Sequence, residues 1–161
     1  MDSINQSFKE YALQLEKGAI QKAYRGIMSF MSGLKAYLEG NHPEFSASAL
    51  YAGYMDMTYF ALTPPQIKKK GLKVAVVFLH EEACFELWIA GANRRIQAEQ
   101  IAALRNKDIG GYTLSSPSPG VDAIVSWRPD VEPDFDHPER TMEGIDSCFV
   151  RFIKDAGIFL G

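Results

Sequence analysis

Residues 72–95 read LKVAVVFLHEEACFELWIAGANRR. Leu72–Leu79 is an almost unbroken apolar run, the pattern of a strand buried on both faces. His80-Glu81-Glu82-Ala83 makes a short connection, and Phe85–Ala90 returns with alternating character. Residues 72–90 are therefore expected to form a β-hairpin at the centre of a sheet. Gly91 then turns the chain, and Asn93, a good N-cap, starts a helix over about 94–107.

Outward from this hairpin, the first ~40 residues read as two helices. Phe8, Tyr11 and Leu15 share one face of the first, and Gly18 ends it. Ile20, Tyr24, Ile27, Met31, Leu34 and Leu38 form one stripe on the second, at helical spacing. Gly26 and Gly33 interrupt that stripe. Each costs about 1 kcal/mol against alanine, so the close approach of another element is expected there. Gly40-Asn41-His42-Pro43 stops the helix.

Tyr54–Leu62 (YMDMTYFAL) reads as a strand that ends at Thr63-Pro64-Pro65, because proline cannot continue a ladder. QIKKKG reads as a turn, SSPSPG as a loop, and Val121–Trp127 as a fourth strand. RPDVEPDFDHP is an acidic, proline-broken loop. Pro138 opens a last helix with the stripe Met142, Ile145, Phe149, Phe152 and Ala156. The expected fold is α+β: an about four-stranded, mainly antiparallel sheet packed with helices, in the order α-α-β-β-β-α-β-α. One domain is expected over 1–161, with a helical hairpin in 1–40, a sheet with an inserted helix in 54–128, and a C-terminal helix over 138–158.

Composition narrows the function classes. The chain has 161 residues, 47% of them hydrophobic and 12% aromatic, with a net charge of −3. That balance suits a globular protein and supplies no general attraction to nucleic acid or to anionic membrane. Cys84 and Cys148 are far apart and form no C-x-x-C, so free thiols in a reducing cytoplasm are expected. No leader pattern and no ~20-residue apolar span is present.

Candidate site residues are few. Glu86 and Trp88 share one face of their strand, opposite Phe85, Leu87 and Ile89. A central-strand glutamate is either half exposed and paired with a cation or held in a pocket. Arg94 and Arg95 sit in the first turn of the following helix, where they pair with Glu99 or solvent, or help to hold an anion. Gln97 and Gln100 fall inside the arc marked by Ile96, Ile101 and Leu104, so each must hydrogen-bond backbone or line a cavity. Asp56 lies among Tyr54, Thr58 and Phe60, with Tyr59 beside it. An acid there either accepts a hydrogen bond from a tyrosine or the backbone, or contacts a ligand.

Tempting motifs fail on their own terms. His80-Glu81-Glu82 with Cys84 crowds ligand types into a turn, but H-E-x-x-H is absent. Asp130, Glu132, Asp134 and Asp136 alternate as in a calcium loop, yet Phe135 stands where glycine is required. No nucleophile elbow, phosphate loop or dinucleotide fingerprint occurs.

The order of helix, three strands, helix and strand from residue 19 resembles the core of restriction-endonuclease-like nucleases. That family places an acid on its second core strand and E-x-K on its third. Here Trp88 stands where the lysine belongs, and LKVAVVFL carries no acid, so the resemblance implies no active nuclease. YMDMTYFALTPP, KVAVVFLHEEACFELWIAGANRRIQAE and PGVDAIV followed by PDFD resemble a family of small uncharacterised bacterial proteins, over nearly the whole chain. That resemblance implies a bacterial cytoplasmic origin and transfers no catalytic residue.

The expectation is thus a cytoplasmic domain that binds an unidentified small molecule or protein partner through Asp56, Tyr59, Glu86, Trp88, Arg94 and Gln97. No catalytic set, metal set or cofactor is expected, and no membrane or nucleic-acid partner. A degenerate nuclease-like or other metal-dependent hydrolase is the alternative, and homodimerisation through the N-terminal helices or the tail GIFLG a further expectation.

Overall fold

The computed structural model describes residues 3–116 and 123–161. Helix α1 (Ile4–Lys17) opens on a capping box in which Ser3 and Gln6 exchange hydrogen bonds. Gly18 closes it in the left-handed conformation and leads directly into α2 (Ala19–Asn41). Then come β1 (Ser46–Ala47), β2 (Met57–Thr63), the one-turn helix α3 (Pro65–Lys68), β3 (Leu72–Leu79) and β4 (Cys84–Gly91). Helix α4 (Arg94–Leu104), β5 (Thr113–Leu114), β6 (Ala123–Trp127) and α5 (Pro138–Phe159) complete the chain.

The fold is α+β, with six strands rather than about four. Their order is β1-β2-β3-β4-β6-β5, and every neighbouring pair is antiparallel. The two additional strands are two residues each, too short for any alternation to appear in sequence. Residues 66–68 of the expected turn QIKKKG belong to α3, because Pro65 sets the backbone angle for a first helical turn, and residues 69–71 turn as expected. SSPSPG and the start of the Val121–Trp127 strand fall partly outside the described residues.

The β3–β4 hairpin is central, with full register from Leu72↔Gly91 to Leu79↔Cys84. Phe60, Val76 and Leu87 lie in one row across the sheet, all at 0% exposure. With Leu62, Val74, Phe78, Phe85 and Ile89 they form the face that packs against Met31, Leu34 and Leu38 of α2 and Ile145, Phe149 and Phe152 of α5. Of the two helix glycines, Gly33 matches the expectation: a Cβ there would lie 3.1 Å from the Met142 side chain. Gly26 has nothing near it, and no packing reason explains it.

The expected strand Tyr54–Leu62 starts three residues late. Gly53 and Met55 have φ of +77° and +64°, and the Asp56 carboxylate accepts from the Tyr54 N–H at 2.9 Å. Residues 53–56 therefore turn rather than extend. Asp56 consequently does not share a face with Thr58 and Phe60, which are fully buried while Asp56 is exposed.

Before that turn, residues 46–51 run along the outer edge of β2. Ser46 and Ala47 pair with Thr63 and Leu62, and the Ser48 N–H donates to the Ala61 carbonyl at 2.9 Å. The Ala61 N–H donates to the Ser48 hydroxyl at 2.8 Å. Tyr51 and Tyr59 then exchange backbone bonds of 2.8 and 3.0 Å. No described helix is long and apolar enough to cross a membrane.

Candidate functional site

The face of the sheet opposite α2 and α5 carries the candidate site. Ala61, Ala75 and Trp88 form a row across β2, β3 and β4, and Lys73 pairs with Ala90 in the next row. Alanine side chains end at Cβ, so Ala61, Ala75 and Ala90 give a flat floor below the surrounding side chains. One wall is the 48–51 segment with Tyr51, whose ring centroid lies 4.9 Å from that of Tyr59. The start of α4 forms the other wall, and together they enclose a groove of about 710 Å³.

Gly91 allows that second wall to stand so close. A Cβ on it would lie 2.9 Å from the backbone nitrogen of Gln97 and 3.0 Å from the Asn93 carbonyl. Only a residue without a side chain lets the strand end pass under the first turn of α4. Asn93 caps that turn as expected, accepting from the Ile96 N–H at 2.9 Å.

Five of the six candidate residues line the groove: Asp56, Tyr59, Trp88, Arg94 and Gln97. Gln97 is 5% exposed and donates to the Ala123 carbonyl at 3.3 Å. Gln100, expected beside it, is only half-buried. Arg94 and Arg95 are exposed, and among the described residues Arg95 forms no ion pair with Glu99.

Glu86 is next to the groove rather than part of its lining. Its carboxylate accepts from the Trp88 indole N–H at 2.8 Å and from Arg128 at 2.8 and 3.1 Å. Arg128 also reaches Glu82 at 2.5 Å. Arg128 thus holds Glu86, and Glu86 holds the indole ring, which fixes the orientation of the largest side chain in the groove. The cation that pairs with Glu86 comes from the end of β6, a non-local neighbour that periodicity could not name.

Asp56 reaches the groove through the 53–56 turn. Backbone N–H groups, first that of Tyr54, hold its carboxyl below the usual carboxylate range, so it stays ionised and engaged. Sequence reasoning missed Lys73, the one charged residue in the β3 run, and the alanine floor. A signal for Lys73 was present, since it is a lysine interrupting an apolar run at the same strand parity as Ala75; the floor itself depends on the register between strands.

Beneath the 53–56 turn, the Thr58 hydroxyl donates to the Ala52 carbonyl at 2.7 Å and lies 2.8 Å from His80 Nε2. With its own proton committed, the hydroxyl oxygen accepts from His80, which places the imidazole proton on Nε2. Thr58 is fully buried, so the pair is a structural lock and not a nucleophile with its base. Burial pushes the His80 pKa down, partly offset by Asp56. The unfolded chain takes up this proton near pH 6.5; the folded chain does so only at lower pH. Stability is therefore expected to fall as pH drops below about 6.5. Melting temperatures at pH 7.5, 6.5 and 5.5 should show this decline, and His80→Gln should flatten it.

Chemistry by thiol or metal finds little support in the geometry. Burial pushes both the Cys84 and Cys148 thiols up, away from the reactive thiolate. Glu82, Cys84 and Glu86 place ligand atoms within 4.8 Å of one another, but Arg128 already bridges the two carboxylates. His80, the other ligand type of that turn, bonds Thr58 instead. Asp56, which the hydrolase alternative needs beside Glu86, lies on an exposed turn before β2. The hydrolase alternative is therefore unsupported. A second, shallower hollow of about 370 Å³ lies by Tyr112, Trp127 and Arg151. Its polar groups engage each other: the Tyr112 hydroxyl donates to Asp155, and burial with that bond pushes its pKa up to about 12.

A family model matches residues 4–160, from the start of α1 to the residue after α5. The chain belongs to DUF7000, a domain of unknown function. The resemblance to an uncharacterised family is thereby borne out, and the DUF7000 match spans both walls and the floor of the groove. No curated protein and no solved structure matches the chain.

Proposed function

We propose that this chain is a small-ligand-binding domain whose site is the groove on the open face of the sheet. The observation that carries the reading is the alanine floor flanked by aromatic side chains. Ala61, Ala75 and Ala90 leave about 710 Å³ open beside Tyr51, Tyr59 and Trp88, on a sheet whose other face is closely packed. That volume falls in the range of small-molecule sites, roughly 300–1,000 Å³. Gln97, Arg94 and Asp56 supply the polar contacts, and Glu86 acts through Trp88 as a positioning residue.

The test fills the floor. A fragment that raises the melting temperature of the wild type should fail to do so in Ala75→Leu, whose longer side chain occupies the groove. Ala103→Leu, on the exposed side of α4, should keep the full response. A fragment that stabilises Ala75→Leu as well as the wild type would place the site elsewhere.

A further inference from the structure

The groove is electrically polarised along its length, and this bears on what it binds. Lys73 sits at the end where β3 and β4 meet α4, paired with Ala90 and lining the groove with Arg94. Asp56 lies at the opposite end, before Met57, which pairs with Leu79. At about 3.3 Å per residue of strand, the two ends are on the order of 20 Å apart. The acid is therefore too far away to neutralise the two cations.

Neither Lys73 nor Arg94 forms an ion pair among the described residues. The first turn of α4 contains no acidic residue either. This differs from Arg128, whose charge Glu82 and Glu86 balance. Asp56, the acid of the far end, is already bound by backbone N–H groups. Between the ends, the alanine floor and the rings of Tyr59 and Trp88 offer flat apolar contact rather than further charge.

We infer that the ligand is a flat ring system bearing an oxyanion, with its ring on the Ala61–Ala75 floor beside Trp88 and its negative group at Lys73 and Arg94. The inference rests on the groove being the binding site and adds the chemical class and the orientation. A flat ring packs against aromatic side chains such as Tyr59 and Trp88. The oxyanion would receive charge-assisted hydrogen bonds from two cations that form no ion pair among the described residues, and such bonds are stronger than neutral ones.

The test uses three matched probes: 2-naphthoate, 2-naphthyl phosphate and the neutral 2-naphthalenemethanol. Binding is followed by NMR on ¹⁵N-labelled full-length protein, through the Trp88 indole N–H and the backbone amides of 94–97. At least one oxyanion probe is expected to bind tenfold or more tightly than the alcohol. That advantage should shrink to within about threefold in Lys73→Ala and Arg94→Ala, both of which change exposed side chains. Carboxylate and phosphate arms separate the two kinds of oxyanion. Equal binding of alcohol and oxyanions, with Trp88 shifted, would overturn the charge assignment and leave the groove standing. An oxyanion advantage that survives in both variants would overturn the assignment to Lys73 and Arg94. No shift at Trp88 with any probe would overturn the groove reading and this inference with it.

Discussion

Phe149→Ala is expected to lower the free energy of unfolding by about 3–5 kcal/mol. Phe149 is at 0% exposure on α5, and its ring lies 5.5 Å from that of His42 and 6.2 Å from that of Phe45. It thus joins the last helix to the end of α2 and to the chain that leads into β1. Truncation removes apolar contact and leaves a cavity walled by helices that cannot collapse freely. A domain with a total stability of roughly 5–15 kcal/mol would lose a large part of it. Urea unfolding should show a lower midpoint with little change in slope. Val150→Ala, on the same helix but 47% exposed, should shift the curve by less than about 0.5 kcal/mol. A loss below about 1 kcal/mol for Phe149→Ala would contradict the packing of α5 against α2 and the sheet.

Gly53→Ala should cost at least about 2 kcal/mol, through two separable effects. Gly53 has φ of +77°, which disfavours any L side chain, and a Cβ would lie 1.9 Å from the Met57 carbonyl oxygen. That oxygen is backbone and has no rotamer by which to move aside. The turn would have to open, breaking the Tyr54–Asp56 bond and the Thr58 bond to Ala52. Gly110→Ala provides the comparison: φ is +71° there, but nothing lies near its Cβ. It should show the backbone effect alone, about 1 kcal/mol. The difference in unfolding free energy between the two variants measures the clash. Equal effects would mean that the 53–56 turn yields easily and that the groove wall beside it is soft.

The parts of the fold that sequence disclosed are those governed by local period. The central hairpin, the split of Phe85, Leu87 and Ile89 from Glu86 and Trp88, the Asn93 cap and the Pro138 start all follow from alternation or capping chemistry within a few residues. The parts it did not disclose depend on contacts between distant segments. The edge strands β1 and β5 exist because β2 and β6 offer unpaired backbone, not because Ser46–Ala47 or Thr113–Leu114 favour extension. At 53–56 the aromatic residues carried the strand reading, although Gly53 was the stronger local signal. For the site, residue types named five lining positions, but the groove itself is made by what is missing. Alanine counts as ordinary filler in any hydrophobic pattern, and only lateral register shows that Ala61 and Ala75 are neighbours.

The strap formed by residues 46–51 has a consequence beyond the groove it borders. A long apolar hairpin at the heart of a sheet is a hazard if the flanking strands expose free backbone, because another chain can add to the row. Here the outer side of β2 is already answered by the Ser46, Ala47, Ser48 and Tyr51 backbone and by one serine hydroxyl. At the other margin β5 contributes only two residues. Among the described residues, neither margin presents a template of useful length. Fragments too short to recruit a partner strand thus occupy both described margins of the sheet, which disfavours growth of so apolar a centre by strand addition.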